Sequence, residues 1–162
     1  MAAPGGRGPR LRLSAASDGV TVATDDAPAD AAVTGSPLGL AALLAAADEG
    51  YLRRDEPGRL EAVKGALDKA EKLAPDDFEV LWRVSRHYFW TADAPGIDSD
   101  EKSRLGKLGW DYGDRAAQAR PERVEGWFYG ASGVGQYSLG ISVVTALFRG
   151  MESKYTERLS KA

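Results

Sequence analysis

The sequence predicts an all-α fold of about six helices, stacked as three antiparallel hairpins behind a mostly irregular leader. Three observations carry this expectation. From Ser36 onward, apolar residues recur at helical steps of three and four. Capping residues and prolines punctuate those stretches at regular points. A constant spacing of 46 residues relates Leu67 to Gly113 and Leu159, and Ala70 to Ala116 and Ala162, on the second helix of each pair.

Residues 1–35 are rich in Ala, Gly, Pro and Asp and carry no helical period, which is the composition of a flexible leader. Leu11 and Leu13, then Val20 and Val22, alternate on either side of Asp18-Gly19. That is the pattern of a short hairpin, marginal by itself in water.

Residues 36–162 are read as one helical domain. Ser36 suits an N-cap and Pro37 the first helical position. Leu40, Leu43, Leu44, Ala47 and Tyr51 share one face of the first helix. Leu60, Val63, Leu67, Ala70 and Ala74 share a face of the second, which Pro75 ends. Asp76 and Asp77 cap a third helix striped by Phe78, Leu81, Trp82, Ser85, Tyr88 and Phe89, and Asp93-Ala94-Pro95-Gly96 breaks it. Asp98 and Glu101 form a capping box for a fourth helix carrying Leu105, Leu108, Tyr112, Ala116 and Ala119 up to Pro121. A fifth, from about Glu122 to Tyr137, turns Val124, Trp127, Phe128, Ala131 and Val134 inward. Ile141, Val144, Phe148, Met151, Tyr155, Leu159 and Ala162 then predict one continuous sixth helix to the last residue.

At 162 residues, 43% hydrophobic and 28% charged, the chain has the makings of one domain with a packed core. Its formal charge of -3 leaves no cationic excess for phosphates, which argues against nucleic acid and against anionic membrane surfaces. The absence of cysteine excludes disulfides, thiolate catalysis and a lipid-bearing cysteine in this chain. The apolar run Leu139 to Phe148 is about half of the roughly 20 residues a spanning helix needs. Arg7, Arg10 and Arg12 are followed by no apolar core of signal-peptide length.

Ala70 to Pro75, followed by Leu81, Ser85 and Tyr88, resembles a tetratricopeptide repeat, and Ala116, Pro121, Trp127 and Ala131 resemble it again. Small residues at those points let paired helices approach while an aromatic ring fills the space beside them. The spacing of 46 exceeds the usual 34 by an amount that fits an inserted loop around Ala92 to Glu101. The proline equivalent to Pro75 and Pro121 would fall beyond the last residue, so the last repeat is expected to be incomplete, its apolar end covered by self-association or a second chain. With the segment Val124-Glu125-Gly126-Trp127-Phe128-Tyr129-Gly130-Ala131 and the glycines after it, the chain is similar to the T component associated with tripartite periplasmic transporters of bacteria. The resemblance covers about Leu60 to Ala162. It implies a periplasmic or membrane-anchored helical protein that assembles with a solute-binding protein and offers a groove to an apolar or organic-acid ligand. Without an export signal, the location would be cytoplasmic.

In that repeat class the first helix of each pair lines the concave face, which places Glu79, Trp82, Arg86, Phe89 and Trp90 there. An aromatic shelf around one guanidinium suits a carboxylate. The competing reading makes Trp82 and Phe89 plain core. Glu125, Phe128, Ser132, Gly135 and Gln136 occupy the equivalent wall on the next first helix. Gly126, Gly130 and Gly133 form a stripe read as close helix packing, or else as room for a ligand. The run Gly130-Ala131-Ser132-Gly133-Val134-Gly135 lacks the Lys-Ser/Thr pair and the strand context of a phosphate loop. His87 is the only histidine, so no His-paired nucleophile or multi-His metal site can be assembled. Acidic clusters at Asp76-Asp77 and Asp98-Asp100-Glu101 sit at helix starts, where the helix dipole accounts for them.

No catalytic residue, metal ligand or cofactor is therefore assigned. The expectation is a non-enzymatic scaffold that binds a protein partner, a small organic ligand, or both, in a bacterial solute-uptake system. The alternative is an intracellular adaptor holding a peptide or protein tail.

Overall fold

Three helix starts fall where a side chain, of Asp77, Asp98 or Ser142, satisfies the first free backbone amides. The computed structural model describes residues 37–162, among which lie seven helices: α1 (Pro37–Leu52), α2 (Arg59–Leu73), α3 (Phe78–Ala92), α4 (Ser99–Ala119), α5 (Val124–Gly140), α6 (Val143–Phe148) and α7 (Met151–Leu159). Asp77 caps α3 by accepting from the amides of Glu79 at 2.8 Å and Val80 at 3.3 Å. Asp98 caps α4, its Oδ1 accepting from the Glu101 amide at 2.8 Å. Ser36 and the Leu11 to Val22 hairpin lie outside the described residues.

The helices beyond α1 begin and end within a few residues of the positions expected, with one correction. The expected sixth helix is two, α6 and α7, so the described residues hold seven helices and not six. Gly150 between them takes a left-handed backbone with φ of 60°, a conformation that glycine adopts without penalty. The apolar period runs on through the break and so conceals it.

The first core joins α1, α2 and α3 through Ala47, Val63, Leu67, Ala70, Val80 and Val84, all buried, with Leu40, Leu43 and Leu44 packed against them. A second small cluster joins Phe78 and Leu81 of α3 to Ala116 of α4. Ser85 ties the same two helices together, its buried hydroxyl donating to the Gly109 carbonyl at 2.6 Å.

Between α4 and α5 the contact is backbone on backbone. A Cβ on Gly126 would stand 2.5 Å from the Ala117 nitrogen. Gly133 lies against Gly109 and Trp110, Gly113 against Gly130, and Gly106 against Gln136 and Tyr137. As residue numbers rise along α4 they fall along α5, so the pair is antiparallel. Gly126, Gly130 and Gly133 thus all occupy the surface facing α4. Close dispersion contact between two bare backbones offsets the roughly 1 kcal/mol by which each glycine disfavours a helix interior.

Apart from these neighbour contacts, α1 touches α3, α3 touches α5, and α5 touches α7. That succession gathers side chains that stand 35 to 80 residues apart in the sequence.

Candidate functional site

The side chains gathered by α1, α3 and α5 form a cluster of guanidinium groups and aromatic rings. Asp48 of α1 is its anchor. Arg83 of α3 grips it in a two-point fork, Nε to Oδ1 at 3.0 Å and Nη2 to Oδ2 at 2.8 Å. Arg86, one turn on, donates Nη2 to Asp48 Oδ1 at 2.5 Å. Glu79 completes the network, accepting from Arg83 Nη1 at 2.7 Å and from Trp82 Nε1 at 2.9 Å. Burial works to raise the Asp48 carboxyl, but the hydrogen bonds from Arg83 and Arg86 outweigh it and hold the group below its ordinary value.

Rings stack around these cations. The Arg86 guanidinium lies 3.9 Å from the centre of the Tyr51 ring and 4.8 Å from that of Trp82. Trp82 stacks on Tyr129 of α5 at 5.9 Å, nearly parallel. Arg54, on the turn after α1, covers Trp90 at 4.1 Å. Phe89 meets Trp90 edge-on at 5.2 Å, and Phe128 meets Tyr129 edge-on at 5.1 Å. Arg86 is only 7% exposed and forms the floor. Tyr51, Trp82, Phe89, Trp90 and Tyr129 are half-buried, so the rings present a partly open surface above it. Burial, then the neighbouring Tyr51, pushes the Tyr129 phenol up to about 12, so it stays a neutral hydrogen-bonding group.

Two features point outward from this arrangement. Arg83 and Arg86 are matched by Asp48 and Glu79, and Arg123 pairs with Glu79 and Glu125, whereas the Arg54 guanidinium stacks on Trp90. In addition, Arg54 Nε and Trp90 Nε1 are buried donors without a hydrogen-bond partner. The other three tryptophans all donate: Trp82 to Glu79, Trp110 to Asp114 and Trp127 to the Pro121 carbonyl. An unmet buried donor costs on the order of 1–3 kcal/mol, so these two groups are held in the fold at a cost.

No family model, curated protein or solved structure matches this chain.

The residues singled out in the sequence divide between this cluster and other tasks. Trp82, Arg86, Phe89 and Trp90 belong to it, and Phe128, 46% exposed, stands at its edge. Ser132 turns its hydroxyl to its own helix, donating to the Phe128 carbonyl at 2.9 Å. Gln136 is buried elsewhere as a clasp. It donates to Asp93 at 3.0 Å and accepts from Lys102 at 3.3 Å, and Lys102 also donates to the Ala92 carbonyl. Glu125 pairs with Arg123. Sequence reasoning passed over Asp48, Tyr51, Arg54, Arg83 and Tyr129. Asp48 stands on the same helix as Tyr51, but nothing local marks it as the partner of two arginines on another helix.

His87 stands apart on α3, buried, its Nδ1 without a partner. Burial, then the nearby Lys64 charge, pushes its pKa down to about 4. It is a neutral core imidazole. Among the described residues no three acidic or histidine side chains gather to hold a metal ion, and no helix is long and apolar enough to cross a membrane.

A different surface lies beyond the far end of α5. Leu139, Val143, Leu147, Met151 and Tyr155 line an open groove of 620 Å³, with Gly135 at its base.

Proposed function

We propose that this chain is a non-catalytic, tetratricopeptide-like helical scaffold that holds a carboxylate-bearing organic ligand on the face shared by α1, α3 and α5. The contacts of α1 with α3 and of α3 with α5 support a stack of helix pairs. Following the sequence resemblance, we place it with the helical T components of tripartite solute uptake, working beside a solute-binding protein.

The single observation that carries the ligand reading is the pair of unmet donors, Arg54 Nε and Trp90 Nε1, with the Arg54 guanidinium stacked on Trp90. A carboxylate that reaches these groups accepts from them, and charge-assisted bonds of this kind are roughly twice as strong as neutral ones. The flat apolar body of the ligand then lies along Tyr51, Trp82 and Phe89, where each ring contributes area and a quadrupole. Asp48 and Glu79 hold Arg83 and Arg86 in place, so the floor is organised before the ligand arrives.

Calorimetric titration with benzoate, benzyl alcohol and a short peptide with a free or amidated C-terminus tests the reading. Benzoate is expected to bind and benzyl alcohol not. Arg54→Ala should abolish the benzoate signal while circular dichroism stays unchanged, because Arg54 sits on a turn outside the core. Equal heats for the acid and the alcohol would contradict the reading. Preference for the free-carboxylate peptide over benzoate would move the assignment to an adaptor for peptide tails.

A further inference from the structure

We infer that the chain forms a two-fold symmetric homodimer through α6 and the groove beside it. The helix α6 reads Val143-Val144-Thr145-Ala146-Leu147-Phe148 and has no buried residue. A six-residue helix does not persist in water on local energetics alone. Leu139, Val143, Val144, Leu147 and Phe148 are 61–88% exposed, an apolar surface at the upper end of what monomeric proteins leave open.

Three observations favour a second copy as the occupant. The first is shape. The 620 Å³ groove flanks α6 on the side of Val143 and Leu147, while Phe148, 88% exposed, projects beside a second hollow lined by Val144 and Leu147. One short helix thus carries both a projecting ring and an apolar recess. A two-fold axis running beside α6 lets each Phe148 enter the groove of the other copy, the self-complementary pattern of an isologous interface. The second is charge. From Leu139 to Phe148 there is no charged residue, and Glu152 is the one charged residue lining the groove, so two such surfaces meet with little like-charge repulsion despite the net charge of -3. The third is area. The five exposed side chains offer roughly 600 Å² per copy, so a pair that covers them fully hides roughly 1,200 Å², where stable interfaces begin.

Sedimentation equilibrium of the full chain over a hundred-fold concentration range tests this. The expected mass is about 35 kDa, twice the 17.3 kDa of one chain. Phe148→Glu combined with Leu147→Glu should return the single-chain mass with unchanged helical content, because both side chains are exposed. A single-chain mass for the unaltered protein over the whole range overturns the proposal, whether residues 1–36, a foreign protein or a lipid surface then covers the patch. A dimer that survives the double substitution overturns it equally.

Discussion

Gly113 of α4 lies against Gly130 of α5 in an unequal way: a Cβ on Gly113 would overlap the backbone of Gly130, whereas a Cβ on Gly130 would stand 3.4 Å from Gly113. The two glycines face the same seam, yet only one of them is obligatory. Gly133 is obligatory too, since its added Cβ would meet the backbone of Trp110. Overpacking a rigid seam costs about 1–3 kcal/mol, and alanine returns up to about 1 kcal/mol of helix propensity. Gly113→Ala and Gly133→Ala should therefore each lower stability by about 1–2 kcal/mol in urea titration, and Gly130→Ala should be neutral or stabilising. Equal losses at all three positions would contradict the backbone-on-backbone seam.

Gly65 supplies the opposite case. It lies in the middle of α2, exposed, and an added Cβ would meet nothing within 4 Å. Gly65→Ala should raise stability by about 0.5–1 kcal/mol. A loss there would mean that α2 does not run through this position.

The pH dependence of stability should report His87. Its pKa falls from 6.5 to about 4 on folding, so the unfolded chain takes up a proton before the folded one does. Stability is full above about pH 6.5 and falls as the pH drops toward 4, by on the order of 3 kcal/mol in total. His87→Gln should flatten the stability profile in that window. Asp48 and Glu79 leave the upper part of that window, above about pH 5, to His87, because depressed carboxylates lose their contribution only as the pH approaches and passes below their ordinary values of 3.8 and 4.5. An unchanged slope in the variant would contradict the buried neutral imidazole.

Asp48 links α1 to α3 through four hydrogen bonds from Arg83 and Arg86. Its contribution is present above its ordinary pKa and is lost as the pH falls through the depressed one. At neutral pH, Asp48→Asn should lower stability by about 1–2 kcal/mol, a figure held down by the carboxylate's partial exposure. The same variant should also weaken benzoate binding, because the floor arginines lose the group that orients them. Intact stability and binding together would remove Asp48 from the site.

The sequence marks what is local and hides what is assembled. Asp77 and Asp98 are legible as caps because a cap needs only its own next three residues, and Pro75 and Pro121 are legible as stops for the same reason. The break at Gly150 is hidden, since the apolar period passes through it. Trp82, Arg86, Phe89 and Trp90 stand out by spacing along one helix. Their partners Asp48, Tyr51, Arg54 and Tyr129 do not, because they arrive from other helices through packing. Gln136 shows the reverse failure. Helical register puts it in line with Phe128 and Ser132, but Lys102 and Asp93 draw it into a clasp between α3 and α4.

The central claim is that Trp90 offers its indole N–H to a bound carboxylate, and the four tryptophan indole resonances in a proton–nitrogen correlation spectrum test it most directly. On titration with benzoate the Trp90 indole should move downfield as its first hydrogen bond forms. The Trp110 and Trp127 indoles, already bonded to Asp114 and to the Pro121 carbonyl, should stay in place. A Trp90 resonance unmoved at saturating benzoate, or uniform movement of all four, would contradict the assignment of this cluster as a carboxylate site.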